Sequence, residues 1–117
     1  MSKFRRAKWR PRQTPGQMNK TEARFEQEVL LPLKLGGDIL GWQYDAVKFR
    51  VGSKRCWYNI DFMVFRSDGH IEMVDVKGGA GWEDDALVKI KAAAKMYPEF
   101  IWLGCTYKRK TWTQVEF

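Results

Sequence analysis

The sequence predicts an α/β sandwich, a mixed β-sheet flanked by helices in the order αβββαββ, and three observations lead there. Asp68-Gly69 stands between two runs rich in aromatic and β-branched residues, which is the pattern of a hairpin. Residues Glu83 to Tyr97 then place Leu87, Ile90, Ala94 and Tyr97 at helical spacing, behind an acidic first turn that suits the helix dipole. Phe100 to Leu103 resumes an apolar strand directly afterwards. The helix between can therefore serve as the crossover that sets this strand parallel to an earlier one.

The elements follow in order. Residues 1–18 hold Pro11, Pro15 and Gly16 without periodicity and are expected to form a flexible basic arm. Asn19-Lys20-Thr21-Glu22 predicts a helix start, with Asn19 as cap and Glu22 in the position of a capping box. Phe25, Val29 and Leu33 give this helix an apolar stripe; Pro32 is expected to kink or end it near Leu31, and Gly36-Gly37 to close it. Trp42 to Val51 alternates well enough for one half-buried strand, Gly52-Ser53 is a turn, and Cys56 to Phe65 reads as a second, more central strand. His70 to Lys77 is the strand returning from the hairpin, and Gly78-Gly79-Ala80-Gly81 links it to the second helix, which Pro98 stops. Trp112 to Phe117 is a last short strand after a Lys108-Arg109-Lys110 turn. A chain of 117 residues builds one core, so residues 19–117 are expected to form a single domain.

The charge is unevenly spread. Lys3, Arg5, Arg6, Lys8, Arg10, Arg12 and Lys20 carry the whole net charge of +7, because the rest of the chain balances 14 acids with as many cations. A basic arm with Trp9 among its cations suits a polyphosphate partner through counterion release and stacking; a solvated tail that aids solubility is the plainer reading. No apolar run approaches the roughly 20 residues that span a bilayer, and no signal peptide or membrane partner is expected. Cys56 and Cys105 lack metal-ligand spacing and read as buried thiols in a reducing, cytoplasmic setting. His70, beside the Asp68-Gly69 turn, reads as a strand residue and not a ligand.

The chemistry gathers at the hairpin's far end. Alternation along a strand puts Asp75 and Lys77 on one face, and both faces of that strand are otherwise largely apolar. If the turn centres between Asp68 and Gly69, Asp61 lies opposite about residue 76, near Asp75 and Lys77. Two carboxylates can hold a hard divalent cation, and an ammonium beside them can meet a phosphate under attack. A structural ion pair of Asp61 with Lys77 is the competing reading. Glu22, or Glu26 one turn on, is the candidate third acid, and Lys89 and Lys91 on the second helix are candidate phosphate contacts.

A helix with Glu22, then Tyr58-x-x-Asp61-Phe62, a turn, Asp75-x-Lys77-Gly78 and a lysine-bearing helix resembles the PD-(D/E)XK nuclease superfamily. Within it the pattern is most similar to small phage nucleases of the endonuclease-I-type Holliday-junction resolvase kind. The likeness covers roughly residues 19–117 and rests on the order and spacing of short motifs. It implies a restriction-endonuclease-like core and a Mg²⁺- or Mn²⁺-dependent DNA endonuclease that leaves 5′-phosphates. By that resemblance Asp61, Asp75, the Val76 carbonyl and Glu22 would hold the metal, and Lys77 would position or activate the attacking water. The resemblance also implies branched or junction DNA as substrate, a homodimer to cut it symmetrically, and a place in the host cell's cytoplasm if phage-encoded. Asn59-Ile60 stands where the family motif has a Pro before its Asp, and Asp75 where Glu is frequent. A less selective phage nuclease for packaging, host DNA breakdown or restriction, and a non-catalytic DNA-binding module, are the alternatives.

Overall fold

The computed structural model describes residues 17–52, 55–79 and 81–117. The first helical stretch starts as the sequence predicts: Asn19 Oδ1 accepts the Glu22 N–H at 2.8 Å, and Glu22 Oε1 accepts the Asn19 N–H at 2.9 Å. Helix α1 (Lys20–Phe25) widens into a π-helical turn (Glu26–Leu30) and continues as α2 (Leu31–Leu35). Pro32 was expected to kink or end the helix, but the wide turn absorbs it. The Leu31 N–H reaches back to the Glu26 carbonyl, five residues away, and Pro32 falls in the first turn of α2, where a missing N–H is tolerated. Gly36 then caps the helix, and Gly37, at φ 84°, turns the chain into the sheet.

Five strands form the main sheet in the spatial order β1-β4-β5-β6-β7: β1 (Ile39–Tyr44), β4 (Phe62–Arg66), β5 (Ile71–Lys77), β6 (Ile101–Lys108) and β7 (Thr111–Glu116). Strands β5 and β6 run parallel, joined across α3 (Asp84–Met96), and every other neighbour pair is antiparallel, so the mixed sheet and its crossover helix stand as expected.

Two expected strands are divided. The Trp42–Val51 run breaks at Asp45, which takes a left-handed φ of 53°, and its second half becomes β2 (Lys48–Arg50). The Cys56–Phe65 run breaks at Ile60-Asp61, leaving β3 (Trp57–Asn59) before β4. Among the described residues, strands β2 and β3 pair only with each other, as a separate two-stranded ribbon. Alternation survives across both breaks, because Phe49, Tyr58 and Ile60 still point into the core, and so periodicity alone reads each run as one strand.

The sheet is covered on both faces. On one, Phe25 and Leu30 pack against Phe62, Val64, Val74, Val76, Leu103 and Cys105. On the other, Ile90 and Ala93 of α3 and Phe49 and Tyr58 of the ribbon enclose Met73 and Trp102. Each large apolar side chain removed from water in these layers stabilises the fold by about 1.5–3 kcal/mol. The π turn adds polar ties to both sheet edges: Trp42 of β1 donates to Glu26 at 2.8 Å, and Trp112 of β7 to Glu28 at 3.1 Å.

Close approach at Gly104 decides how β6 meets the segment before α3. A Cβ there would overlap the Trp82 ring and touch Phe117, whose own ring lies 5.7 Å from that of Trp82. Gly104→Ala is expected to destabilise by about 1–3 kcal/mol through overpacking and to push Trp82 away from its neighbours. Urea unfolding would read the loss; an unchanged midpoint would show that Trp82 is free to move aside.

Candidate active site

The break at Ile60-Asp61 and the β4–β5 hairpin together build the site. The hairpin loop is Ser67-Asp68-Gly69, with Gly69 at φ 95° and the Arg66 N–H bonded to the His70 carbonyl. It holds one residue more than a two-residue Asp-Gly turn. The register consequently pairs Phe62 with Val74 and Met63 with Met73, which sets Asp61 beside Asp75 and not opposite residue 76. Asp61 thus lies just outside β4 and not within a strand. Its Oδ2 accepts the Val76 N–H at 2.8 Å, while its own carbonyl accepts the Asp45 N–H at 2.9 Å.

Asp75 is buried on β5, 3% exposed, and meets two polar partners. The Tyr58 hydroxyl donates to Oδ2 at 2.5 Å, and the Lys77 ammonium stands 3.5 Å from Oδ1. Burial, hydrogen bonding toward Asp75 and the Asp75 charge push the Asp61 carboxyl up to about 10, only partly offset by the Val76 N–H. The direction favours a neutral Asp61 beside Asp75, whereas a divalent cation would favour ionisation of both carboxyl groups.

Glu22 closes the site from the helical side. It is buried, 7% exposed, and its Oε1 also accepts the Tyr44 hydroxyl at 2.6 Å. Burial and the Glu22 contact drive the Tyr44 phenol far above its ordinary range, and burial and Asp75 do the same to Tyr58. Both phenols therefore stay protonated and act as fixed donors. The negative charge of Glu22 also reaches Asp61 and helps raise it. Glu26, the alternate acid, is engaged by Trp42.

Lys77 lies 5.3 Å from the centre of the Trp82 ring and lines a crevice of about 140 Å³ with Gly81, Glu83, Asp85 and Ala86. The cation is thus held between the acid pair and an aromatic face at the mouth of the site. Lys89 pairs with Asp85 at 3.6 Å, and Lys91 is exposed on α3. Arg5, Arg6, Lys8, Trp9, Arg10 and Arg12 lie outside the described residues. His70 is exposed, just before β5 and not in it as expected, and pairs with Asp68 across the turn; both cysteines are free thiols, Cys105 buried as expected and Cys56 only half-buried, because it lies in the loop before β3. Burial pushes the Cys105 thiol up to about 12, so it is inert.

The phenols were the part of the site not assigned from sequence. Tyr58 stood in the Tyr58-x-x-Asp61 pattern without a role, and Tyr44 carried no signal beyond strand alternation.

Among the described residues, no group of three or more His, Cys, Asp and Glu side chains is arranged to hold a metal ion. The Asp61–Asp75 pair nonetheless fits a hard cation such as Mg²⁺, which is commonly held by one or two carboxylates together with water and substrate phosphate. The donor set is all oxygen, and the raised Asp61 carboxyl reflects negative charge gathered at the pair.

The shift at Asp61 sets a pH dependence. A carboxyl raised in the folded state adds stability that is fully present below its ordinary value near 3.8 and is lost as pH rises toward about 10. Asp61→Asn keeps the neutral donor at every pH. In EDTA at pH 9 its melting temperature is expected to exceed wild type by roughly 5 °C or more, with the two converging near pH 4. Parallel melting curves across that range would refute the raised Asp61 carboxyl.

Fold and site together define a mixed α/β domain with a buried Asp75, a half-buried Asp61 beside it and an adjacent lysine at one end of its central strands. Compared with family models, curated proteins and solved structures, the chain matches none. Among the described residues, no helix is long and apolar enough to cross a membrane.

Proposed function

We propose that this protein is a Mg²⁺-dependent DNA endonuclease of the PD-(D/E)XK type, structure-selective in the manner of a Holliday-junction resolvase. The observation that carries the reading is the juxtaposition of Asp61, Asp75 and Lys77. Asp61, just before β4, and Asp75, on β5, lie side by side, and an ammonium stands 3.5 Å from Asp75. A structural ion pair has no use for the second, mutually repelling carboxyl, whereas a phosphodiesterase does.

Asp61 and Asp75, with the Val76 carbonyl, would hold the cation. When bound, it would polarise a phosphoryl oxygen and lower the pKa of water. The chain's own groups divide the remaining work. Tyr58 fixes one oxygen of Asp75, and the Val76 N–H fixes one of Asp61, so neither carboxylate need reorganise. Lys77 orients the attacking water and meets charge on the phosphate. Water adds to phosphorus as the bond to the 3′ oxygen breaks; the 3′ oxygen takes up a proton and the phosphate stays on the 5′ end. Glu22, anchored by Asn19 and Tyr44, acts through its charge on Asp61.

A domain of this size reads DNA by shape and backbone, and symmetrical cutting of a junction calls for a two-fold dimer. Incubation with a synthetic four-way junction and with linear duplex in Mg²⁺ tests the proposal. The junction should be cut at least about ten times faster, with 5′-phosphate ends. Equal rates would reduce the reading to an unselective nuclease, and no cutting of either would leave a DNA-binding module.

A further inference from the structure

The β2–β3 ribbon carries a second feature that the acid pair does not explain. Its inner residues Phe49 and Tyr58 are buried, whereas Lys48, Arg50, Trp57 and Asn59 are all exposed on its outer face. Register brings these four together, with Lys48 opposite Asn59 and Arg50 opposite Trp57. The Lys48 ammonium lies 5.4 Å from the centre of the Trp57 ring, and the indole remains 45% exposed. Between Asp45 and Asp61 the sequence contains no acid at all. An exposed tryptophan among cations on an acid-free ribbon has the wrong chemistry for a solubilising surface, which mixes both signs, and the right chemistry for a polyanion with flat rings.

We propose that the outer face of this ribbon binds a nucleic-acid strand with unpaired bases, Lys48 and Arg50 contacting its phosphates and Trp57 stacking a base. Lys48 and Arg50 are two positions apart on one strand, about 7 Å, and so reach separate phosphates. The ribbon is also tied to the acid pair. The Tyr58 hydroxyl on its inner face holds Asp75, and Asn59 precedes Asp61 by only two residues. A crevice of about 190 Å³ is lined by Lys48, Asn59 and Asp45 to Val47, and the Asp45 N–H in its wall donates to the Asp61 carbonyl. A strand seated on the ribbon therefore runs toward the acid pair, and the unpaired bases specify the open segment of a branched substrate. This inference rests on the nucleic-acid reading of the site, but binding can be measured apart from cleavage.

The test uses the full chain in EDTA, with anisotropy of a labelled single-stranded oligonucleotide and its matched duplex across a salt series. Lys48→Ala with Arg50→Ala is expected to weaken single-strand binding roughly tenfold and to reduce the salt slope by about 1.4, the value for two phosphate contacts on a single strand. Trp57→Ala should weaken single-strand binding about tenfold while changing duplex binding about twofold at most, and Trp57→Phe should recover most of the loss even if the alanine variant folds poorly. Unchanged affinity and slope would overturn the proposal. An equal loss from Lys34→Ala with Lys95→Ala, on the helices, would overturn it as a bulk charge effect, as would competition by polyglutamate equal to that by DNA. Ribbon-dependent binding without Mg²⁺-dependent cutting would uphold the ribbon and sink the nuclease; cutting with ribbon-independent binding would do the reverse.

Discussion

Asp75→Asn is expected to lower DNA cleavage by about a thousandfold or more while leaving DNA binding within a few fold. The amide keeps the size of the side chain, and its oxygen can still accept from the Tyr58 hydroxyl, so the buried position stays filled. What is lost is the formal charge between Asp61 and Lys77. Lys77→Ala removes the other half of that arrangement and should cost a similar factor, with KM little changed, because the ammonium acts on the charge that develops during attack. If both variants cut DNA as wild type does, the cluster is structural and the nuclease reading fails.

Trp102→Ala is expected to be the most damaging single change to the fold, at about 3–5 kcal/mol against a total of about 5–15 for a domain. Trp102 is 1% exposed on β6 and is ringed by Phe49, Tyr58 and Phe100, and its Nε1 donates to the Tyr97 carbonyl at 2.9 Å. The loss spreads to the site, because Trp102 stacks beside Tyr58 at 6.4 Å and Tyr58 in turn holds Asp75. The melting temperature should fall by roughly 15 °C or more, and Trp102→Phe should recover part of it while leaving the Tyr97 carbonyl without its donor. A fall of only a few degrees would mean that the ribbon and α3 can collapse into the space.

How legible each feature was depends on how local its cause is. The capping box at Asn19 and Glu22, the closing glycines, the crossover helix and the parallel β5–β6 pair all follow from short-range patterns, and the structure has each of them. The breaks at Asp45 and Ile60-Asp61 were hidden because the residues around them keep the two-residue alternation of continuous strands. Those breaks give the molecule a separate ribbon and leave Asp61 free of strand pairing, so the least legible part of the fold shapes the site most. The convergence of Asp61, Asp75 and Lys77 was legible to within one residue of register, the error coming from a three-residue loop where Asp-Gly suggests two. Tyr44 and Tyr58 carried no such signal, since a phenol in a strand ordinarily packs, and only the three-dimensional arrangement shows each hydroxyl on a carboxylate.

The site also explains a local energetic conflict. A half-buried carboxyl beside a buried one is electrostatically unfavourable when both ionise, and the two are held there by the Val76 N–H, Tyr58 and Lys77. Strain of this kind is tolerated where it serves a ligand, and a cation between the pair would relieve it.

The central claim is that the Asp61–Asp75 pair is a divalent-cation site, and calorimetric titration of the full chain with Mn²⁺ near pH 7 tests it most directly. Run in two buffers of different ionisation enthalpy, the titration should show binding at the pair with net proton release, as a carboxyl held above its ordinary range predicts. The heat should disappear in Asp75→Asn. No binding by the wild type, or binding that both Asp61→Asn and Asp75→Asn leave intact, would contradict the account.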